Sequence, residues 1–145
     1  MTLPTIRTAR LDDAAELARL FTELGHPATE VEIRERWSAW EANGNVSFVI
    51  DGANGDLIAT AILHQTVVLH RPKPIGRISA LIVDARYRGT GIGRALVDAA
   101  ERLFADAGCG MVEITSNMRR ADAHAFYQHL GYELTSARFA KSISN

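Results

Sequence analysis

Apolar residues recur along this chain with two periods, and the switches between them mark its elements. Residues 5–9 alternate as a short first strand. Asp12 or Asp13 then stands where a helix cap belongs, ahead of an apolar face repeating at Leu17, Leu20, Phe21 and Leu24, and Gly25 ends that helix. Thr29 and Glu32 have capping-box spacing and open a second helix, with Ile33, Trp37 and Trp40 on one side and Asn43 and Gly44 at its end. Residues 46–50 predict a strand, 52–55 a turn, and 57–69 a long returning strand that Pro72 and Pro74 break. A further strand is predicted over 75–83 and a helix over 92–107, through Leu96, Ala99, Ala100 and Leu103. Gly108 and Gly110 mark its exit. A buried strand over 111–115, a short helix over 122–130 closed by Gly131, and one or two final strands within 132–143 complete the pattern.

The strand, helix and strand between residues 75 and 115 form a βαβ unit, whose strands are parallel and whose crossover is right-handed. The upstream strands favour hairpins. The expected fold class is therefore α/β: a mixed, twisted, mostly antiparallel sheet with one central parallel strand pair and flanking helices on both faces. A ligand is expected at the carboxyl ends of the parallel strands.

Composition narrows the function more than the fold. With 145 residues, 47% hydrophobic and 23% charged, the chain suits a single domain over residues 1–145. Its longest apolar stretches, such as residues 58–63, are far shorter than the roughly 20 residues of a membrane-spanning helix. Arg7, Arg10, Asp12 and Asp13 interrupt the first residues where a secretory signal needs an apolar core, so a cytoplasmic protein is expected. Cys109 is the sole cysteine and cannot form an internal disulfide; without a second thiol it anchors no zinc site, and no metal is expected. A net charge of −1 provides no footprint for nucleic acid. The expected partner is a small molecule.

Arg88-Gly89-Thr90-Gly91-Ile92-Gly93-Arg94 stands between the strand over 75–83 and the helix after it. Unpaired amides and the positive end of the helix dipole converge there, which makes an anion site. Glycine lets a phosphate approach the backbone, and Arg88 and Arg94 add charge. A tight turn alone would not justify the entropy cost of three alternating glycines. A P-loop would need Gly-Lys-Ser/Thr, which is absent. A dinucleotide fingerprint would need G-x-G-x-x-G in the first βαβ unit, whereas this is G-x-G-x-G after three strands and two helices.

Through most of its length the chain resembles the GNAT superfamily of N-acetyltransferases, which move acetyl from acetyl-CoA to amines. Arg88, Gly91 and Gly93 meet the signature Arg/Gln-x-x-Gly-x-Gly/Ala, and Leu81, Ile82 and Val83 look like the family's splayed strand, which holds the pantetheine arm by backbone hydrogen bonds. Residues 117–132, N-M-R-R-A-D-A-H-A-F-Y-Q-H-L-G-Y, are similar to the second family motif. The resemblance implies acetyl-CoA as cosubstrate, held by Leu81, Ile82, Val83, the turn from Arg88 through Gly89, Thr90, Gly91, Ile92 and Gly93 to Arg94, and Asn117, Arg120, Ala123 and Phe126. It also implies that backbone amides near Leu81 polarise the thioester carbonyl and that Tyr127 is the general acid. Without the resemblance, Tyr127 is a core aromatic sharing a helical face with Ala123, Phe126 and Leu130.

The implied reaction is direct attack of a small-molecule primary amine on the thioester in a ternary complex, with no covalent enzyme intermediate. A non-catalytic CoA-binding or sensing module on the same scaffold is the alternative. A ping-pong role for Cys109 is disfavoured, because a helix rising about 1.5 Å per residue puts it roughly 24 Å from the glycine turn. For the general base, Glu113, His26, His64 and His70 are open candidates, and none is assigned. Beyond the superfamily motifs, the chain is similar to aminoalkylphosphonate and aminoglycoside acetyltransferases. Glu30, Glu32 and Glu35 would suit a polycationic acceptor, and Arg71, Lys73 and Arg77 an anionic one. The absence of an acid in Arg77-Ile78-Ser79-Ala80 favours a small amine bearing an anionic group. Homodimerisation through the final strands or helices is expected from the family habit.

Overall fold

In the computed structural model, which describes residues 4–115 and 121–144, the chain divides into two compact units, Met1–Thr115 and Ser116–Asn145. The first holds the sheet. Strands Ile6–Thr8 (β1), Val46–Asp51 (β2), Leu57–Thr66 (β3), Ile75–Val83 (β4) and Met111–Ile114 (β5) stand side by side in sequence order. Neighbours are antiparallel except β4 and β5, the parallel pair joined by the helix Ile92–Asp106 (α3). Helices Ala14–Leu24 (α1) and Glu30–Ala42 (α2) lie between β1 and β2 in the chain, and the helix Ala121–His129 (α4) belongs to the second unit.

The helix boundaries follow from their caps. At α2, the Thr29 hydroxyl accepts the Glu32 N–H at 3.1 Å while a Glu32 carboxylate oxygen accepts the Thr29 N–H at 3.0 Å, the reciprocal pair that the spacing predicts. Gly25 takes φ +103°, a left-handed value that favours glycine, and so ends α1. Asp13 accepts the Arg10 N–H and both terminal nitrogens of Arg7, which also grips Asp51, so one arginine ties β1 to the start of α1 and the end of β2.

Strand register sorts the side chains onto two faces. Val49, Thr60 and Ile82 share one face, and Ala59, Ala61, Leu81 and Val83 the other. The first face is covered by α1 and α2: Val49 and Ile82 pack with Leu17, Leu20 and Trp37, supported by Phe21, Ile33 and Trp40. Burying leucines such as these contributes about 1.5–3 kcal/mol each. The second face is covered by α3, whose Phe104 lies so close to Gly76 that a β-carbon there would collide with its ring. Helices thus flank both faces, as the hydrophobic pattern predicts.

Two expected strands differ. The strand expected over 57–69 stops at Thr66, because Thr66 pairs with Ile75, the first residue of β4, and nothing continues the ladder; Val67 and Leu69 are exposed. No strand forms over residues 132–144, where the final ones were expected. The apolar residues Leu134, Phe139 and Ile143 there are all exposed, and a strand requires a partner edge that this segment does not find among the described residues.

Candidate functional site

Among the described residues, no strand pairs with the outer edge of the carboxyl half of β4: β5 pairs with β4 from Ile75 to Ile78. The end of that pairing coincides with a bulge: Ile62 faces Ala80 and Leu63 faces Ile78, so Ser79 has no partner on β3. The register shows which backbone groups are left open. Asp84 donates its N–H to the carbonyl of Ile58 at 2.8 Å, and antiparallel alternation makes Ile82 and Ala80 the next residues bonded to β3. Leu81 and Val83 therefore aim their N–H and C=O groups away from β3, on the side of β4 that carries β5 lower down. Arg88 reaches this edge, its Nε donating to the Val83 carbonyl at 3.3 Å.

The edge runs into the glycine turn. After a single 3-10 turn, Ala85–Tyr87, Gly89 and Gly91 adopt φ +77° and +83°. Gly91 is the N-cap of α3, and no side chain caps the helix, so the first-turn amides remain available to an external acceptor. The Thr90 hydroxyl donates to the Tyr87 carbonyl and tightens the loop. Ile92 is buried and anchors the helix start, whereas Arg88 and Arg94 are exposed, and among the described residues neither is paired with a carboxylate. Open amides, a helix N-terminus and two arginines that no carboxylate holds among the described residues stand together in this turn, which is the chemistry of a phosphate site.

A charged network that sequence reasoning missed holds this turn. Asp84, buried at the end of β4, accepts from Arg19 Nη1 at 3.0 Å, from Arg86 Nη2 at 2.9 Å and Nε at 3.1 Å, and from the Arg86 N–H at 3.0 Å. Arg86, then its own backbone N–H and Arg19, hold the Asp84 carboxyl well below the usual carboxylate range. Arg19 also grips Glu16 and Glu23 on α1 and donates to the Leu57 carbonyl at 2.8 Å, while Glu16 accepts the Leu57 N–H. Helix α1, the start of β3 and the approach to the glycine turn are thereby locked together. Only the Glu16, Arg19, Glu23 spacing was visible in the sequence, and it looks like an ordinary solvated helix face.

Residues expected near the acceptor are dispersed. Arg77 lies in β4, where Thr115 Oγ1 accepts from its Nε and Nη2 at 3.1 and 2.7 Å, two residues before the bulge. Arg71 and Lys73 instead line a surface hollow with Gly110 and Met111, at the amino ends of β4 and β5, the opposite end from the glycine turn. They are remote from the glycine turn, because the chain must climb the whole of β4 from Lys73 to reach it, and Arg77 is only the third residue of that strand. Glu30 and Glu32 are engaged by Arg34 and Arg36 one helical turn along, so they form a solvated face rather than a carboxylate cluster. Cys109 follows the C-terminus of α3, with its N–H on the Phe104 carbonyl, at the far end of that helix from the glycine turn.

In the second unit, Ala123, Phe126, Tyr127 and Leu130 are half-buried at helical spacing. The Tyr127 ring meets Phe126 edge-on, centroids 5.5 Å apart, and Tyr132 at 6.5 Å. Asn117 and Arg120 lie outside the described residues.

Comparison with known proteins agrees with this geometry. The sequence matches the model of the acetyltransferase (GNAT) family over residues 11–132, a span that includes the open edge, the glycine turn and α4. It is 31% identical over 139 residues to the aminoalkylphosphonate N-acetyltransferase of Salmonella typhimurium, covering 95% of this chain and 90% of that protein. It is 32% identical over 135 residues to an aminoglycoside N(6')-acetyltransferase type 1 of Stenotrophomonas maltophilia, with 91% and 88% covered. Among solved structures, a putative acetyltransferase from Agrobacterium tumefaciens superposes with a TM-score of 0.83 at 27% identity, covering 95% of this chain and 99% of that one. An acetyltransferase from Trypanosoma brucei gives 0.84 at 23% identity, with 96% and 99% covered, a likeness of fold.

Proposed function

The chain belongs to the acetyltransferase (GNAT) family, and from that premise we propose that it moves acetyl from acetyl-CoA to the primary amine of a small molecule by direct attack in a ternary complex. The observation that carries this reading is the open edge of β4 at Leu81 and Val83, leading without interruption into an uncapped helix N-terminus at Gly91. An amide-bearing arm fits the edge and a pyrophosphate fits the turn. Leu81, Ile82 and Val83 hold the arm; Arg88, Gly89, Thr90, Gly91, Ile92, Gly93 and Arg94 hold the phosphates; Asn117, Arg120, Ala123 and Phe126 complete the cofactor site. Leu81 N–H stabilises the charge developing on the thioester oxygen, and Tyr127 protonates the departing sulfur. Both units, residues 1–145, then act as one domain.

The acceptor we propose is a small amine bearing an anionic group. Arg77 supports this by its place two residues before the bulge, and the paired state of Glu30 and Glu32 speaks against a polycation site. A cytoplasmic homodimer is proposed as the working form; the exposed apolar side chains Leu134, Phe139 and Ile143 support association through the final segment. No helix among the described residues is long and apolar enough to cross a membrane.

The test is release of CoA thiol from acetyl-CoA with aminomethylphosphonate, an amino acid, a polyamine or kanamycin as acceptor. Turnover preferring aminomethylphosphonate is expected. Preference for the polycations overturns the acceptor class, and tight cofactor binding without turnover on a broad panel overturns the transferase in favour of a binding module.

A further inference from the structure

The acceptor amine arrives protonated at neutral pH, and no carboxylate stands in β4 to deprotonate it. His64, near the end of β3, has the geometry for this task. Its Nδ1 lies 2.6 Å from Asn45 Oδ1. The Asn45 amide is oriented by its other end, because Nδ2 donates to the Trp40 carbonyl at 2.9 Å, so its oxygen is the atom that faces the imidazole. An oxygen there requires a proton on Nδ1 and leaves the Nε2 lone pair available.

The surroundings favour the neutral ring. His64 is half-buried and directly opposite Arg77 in the β3–β4 register; burial, and then the Arg77 charge, lower its pKa from the ordinary histidine value. The charged groups in register with it across the sheet are Arg77 on β4 and Glu113 on β5, and Asn45 meets it from the segment between α2 and β2.

Location completes the argument. Ile62, two residues earlier on the same sheet face, lines a cleft of about 120 Å³ between α1, α2 and the sheet, together with Leu17, Phe21, Trp37, Trp40 and one charged side chain, Arg36, which is paired with Glu32. Trp40 therefore both lines the cleft and, through its carbonyl, sets the amide that sets the histidine. The Ser79 bulge, where the open edge of β4 begins, is two residues from Arg77. His64 stands two residues along β3 from the cleft residue Ile62 and opposite Arg77, two residues before the bulge.

We propose that His64 Nε2 is the proton acceptor of the reaction, with Asn45 as its positioning residue. This rests on the transferase reading above. The ammonium of the acceptor gives one proton to Nε2; the freed lone pair forms the N–C bond to the thioester carbonyl; the C–S bond breaks, its electron pair leaving with sulfur; the second nitrogen proton ends on that sulfur, and His64 returns its own to solvent. The products are the amide, CoA thiol and one proton.

Wild type, His64→Gln, His64→Ala and Asn45→Ala are compared by thiol release across pH 5 to 9, with nitrogen NMR of the imidazole in the full chain. For the wild type, kcat/KM for the amine is expected to fall only on the acid side of the ordinary histidine range, because burial and the Arg77 charge lower the pKa of the ring. His64→Gln is expected to lose on the order of 100-fold in kcat with KM for acetyl-CoA unchanged, and imidazole to restore part of the loss in His64→Ala. Asn45→Ala, which leaves the ring in place, is expected to lose about tenfold in kcat. NMR at pH 7 should find Nδ1 protonated and Nε2 bare. Folded His64 variants within twofold of wild type, or an Nε2–H tautomer, overturn the role of His64 and leave the transferase reading standing. Absence of wild-type turnover with every acceptor overturns both.

Discussion

The edge of β4 beyond the bulge and the sheet face beneath α1 and α2 are neighbours, yet they are built from different materials. The edge offers backbone: the N–H and C=O groups of Leu81 and Val83, then the amides at the start of α3. The face offers side chains gathered from α1, α2, β3 and β4, among them Trp40, Ile62, His64 and Arg77. Backbone presents the same groups whatever the sequence, so it suits the part of a reaction that every member of a family shares. Side chains can be exchanged without disturbing the ladder, so they suit the part that differs. The family relationship accordingly specifies an acyltransferase, while the two curated relatives at about equal identity carry names with acceptors of opposite charge.

The comparison can be broken most forcefully at Tyr127. Tyr127→Phe removes a proton donor and no packing volume, so kcat should fall about 100-fold or more while KM for acetyl-CoA stays within twofold. Steady-state kinetics decides it, and normal turnover would show that sulfur leaves without help from this phenol. Gly91→Asp should weaken acetyl-CoA binding by on the order of 100-fold, because it sets a carboxylate at the helix N-cap against the pyrophosphate. Calorimetry on variant shown to be folded by circular dichroism reads the effect; an unchanged Kd would remove the phosphates from this turn.

Arg77→Gln addresses the side-chain half. It should raise KM for an anionic amine about tenfold, the loss expected of one charge-assisted contact, and leave KM for acetyl-CoA alone. A smaller effect joins the two regions. Asp84→Ala should cost about 2 kcal/mol in denaturant unfolding, since it strips Arg19 and Arg86 of their shared partner, and should raise KM for acetyl-CoA several-fold by loosening the turn. Acid should act on the same lock. Arg86 lowers the pKa of Asp84, Arg7 that of Asp13 and Arg19 that of Glu16. The unfolded chain therefore binds more protons than the folded one, and the stability these carboxylates contribute is present above about pH 4 and lost as pH falls below it. Thermal unfolding between pH 3 and 7 checks the sign.

Local signals were legible wherever neighbouring residues make the structure together. The Thr29 and Glu32 box, the left-handed Gly25, the limits of β4 and the uncapped start of α3 all follow from residues within one turn of each other. Even so, the apolar residues Leu134, Phe139 and Ile143 produced no strand, because a strand is a relation between two segments and the residues of one segment do not supply the other.

By itself, then, the sequence determined the order of the elements from β1 to α4, the parallel pair, the glycine turn that opens α3 and the family, all of which depend on spacing along the chain. Tertiary structure alone decided that Asp84 is buried between Arg19 and Arg86 rather than exposed on a loop, that Arg71 and Lys73 stand at the opposite end of β4 from the glycine turn, and that His64 lies opposite Arg77 with its Nδ1 against Asn45. The physical reason is the same in each case. Arg19 and Asp84 are 65 positions apart in the chain and His64 and Asn45 are 19 apart, and only the bulged register of β3 on β4 and the packing of α1 and α2 bring them within hydrogen-bonding distance.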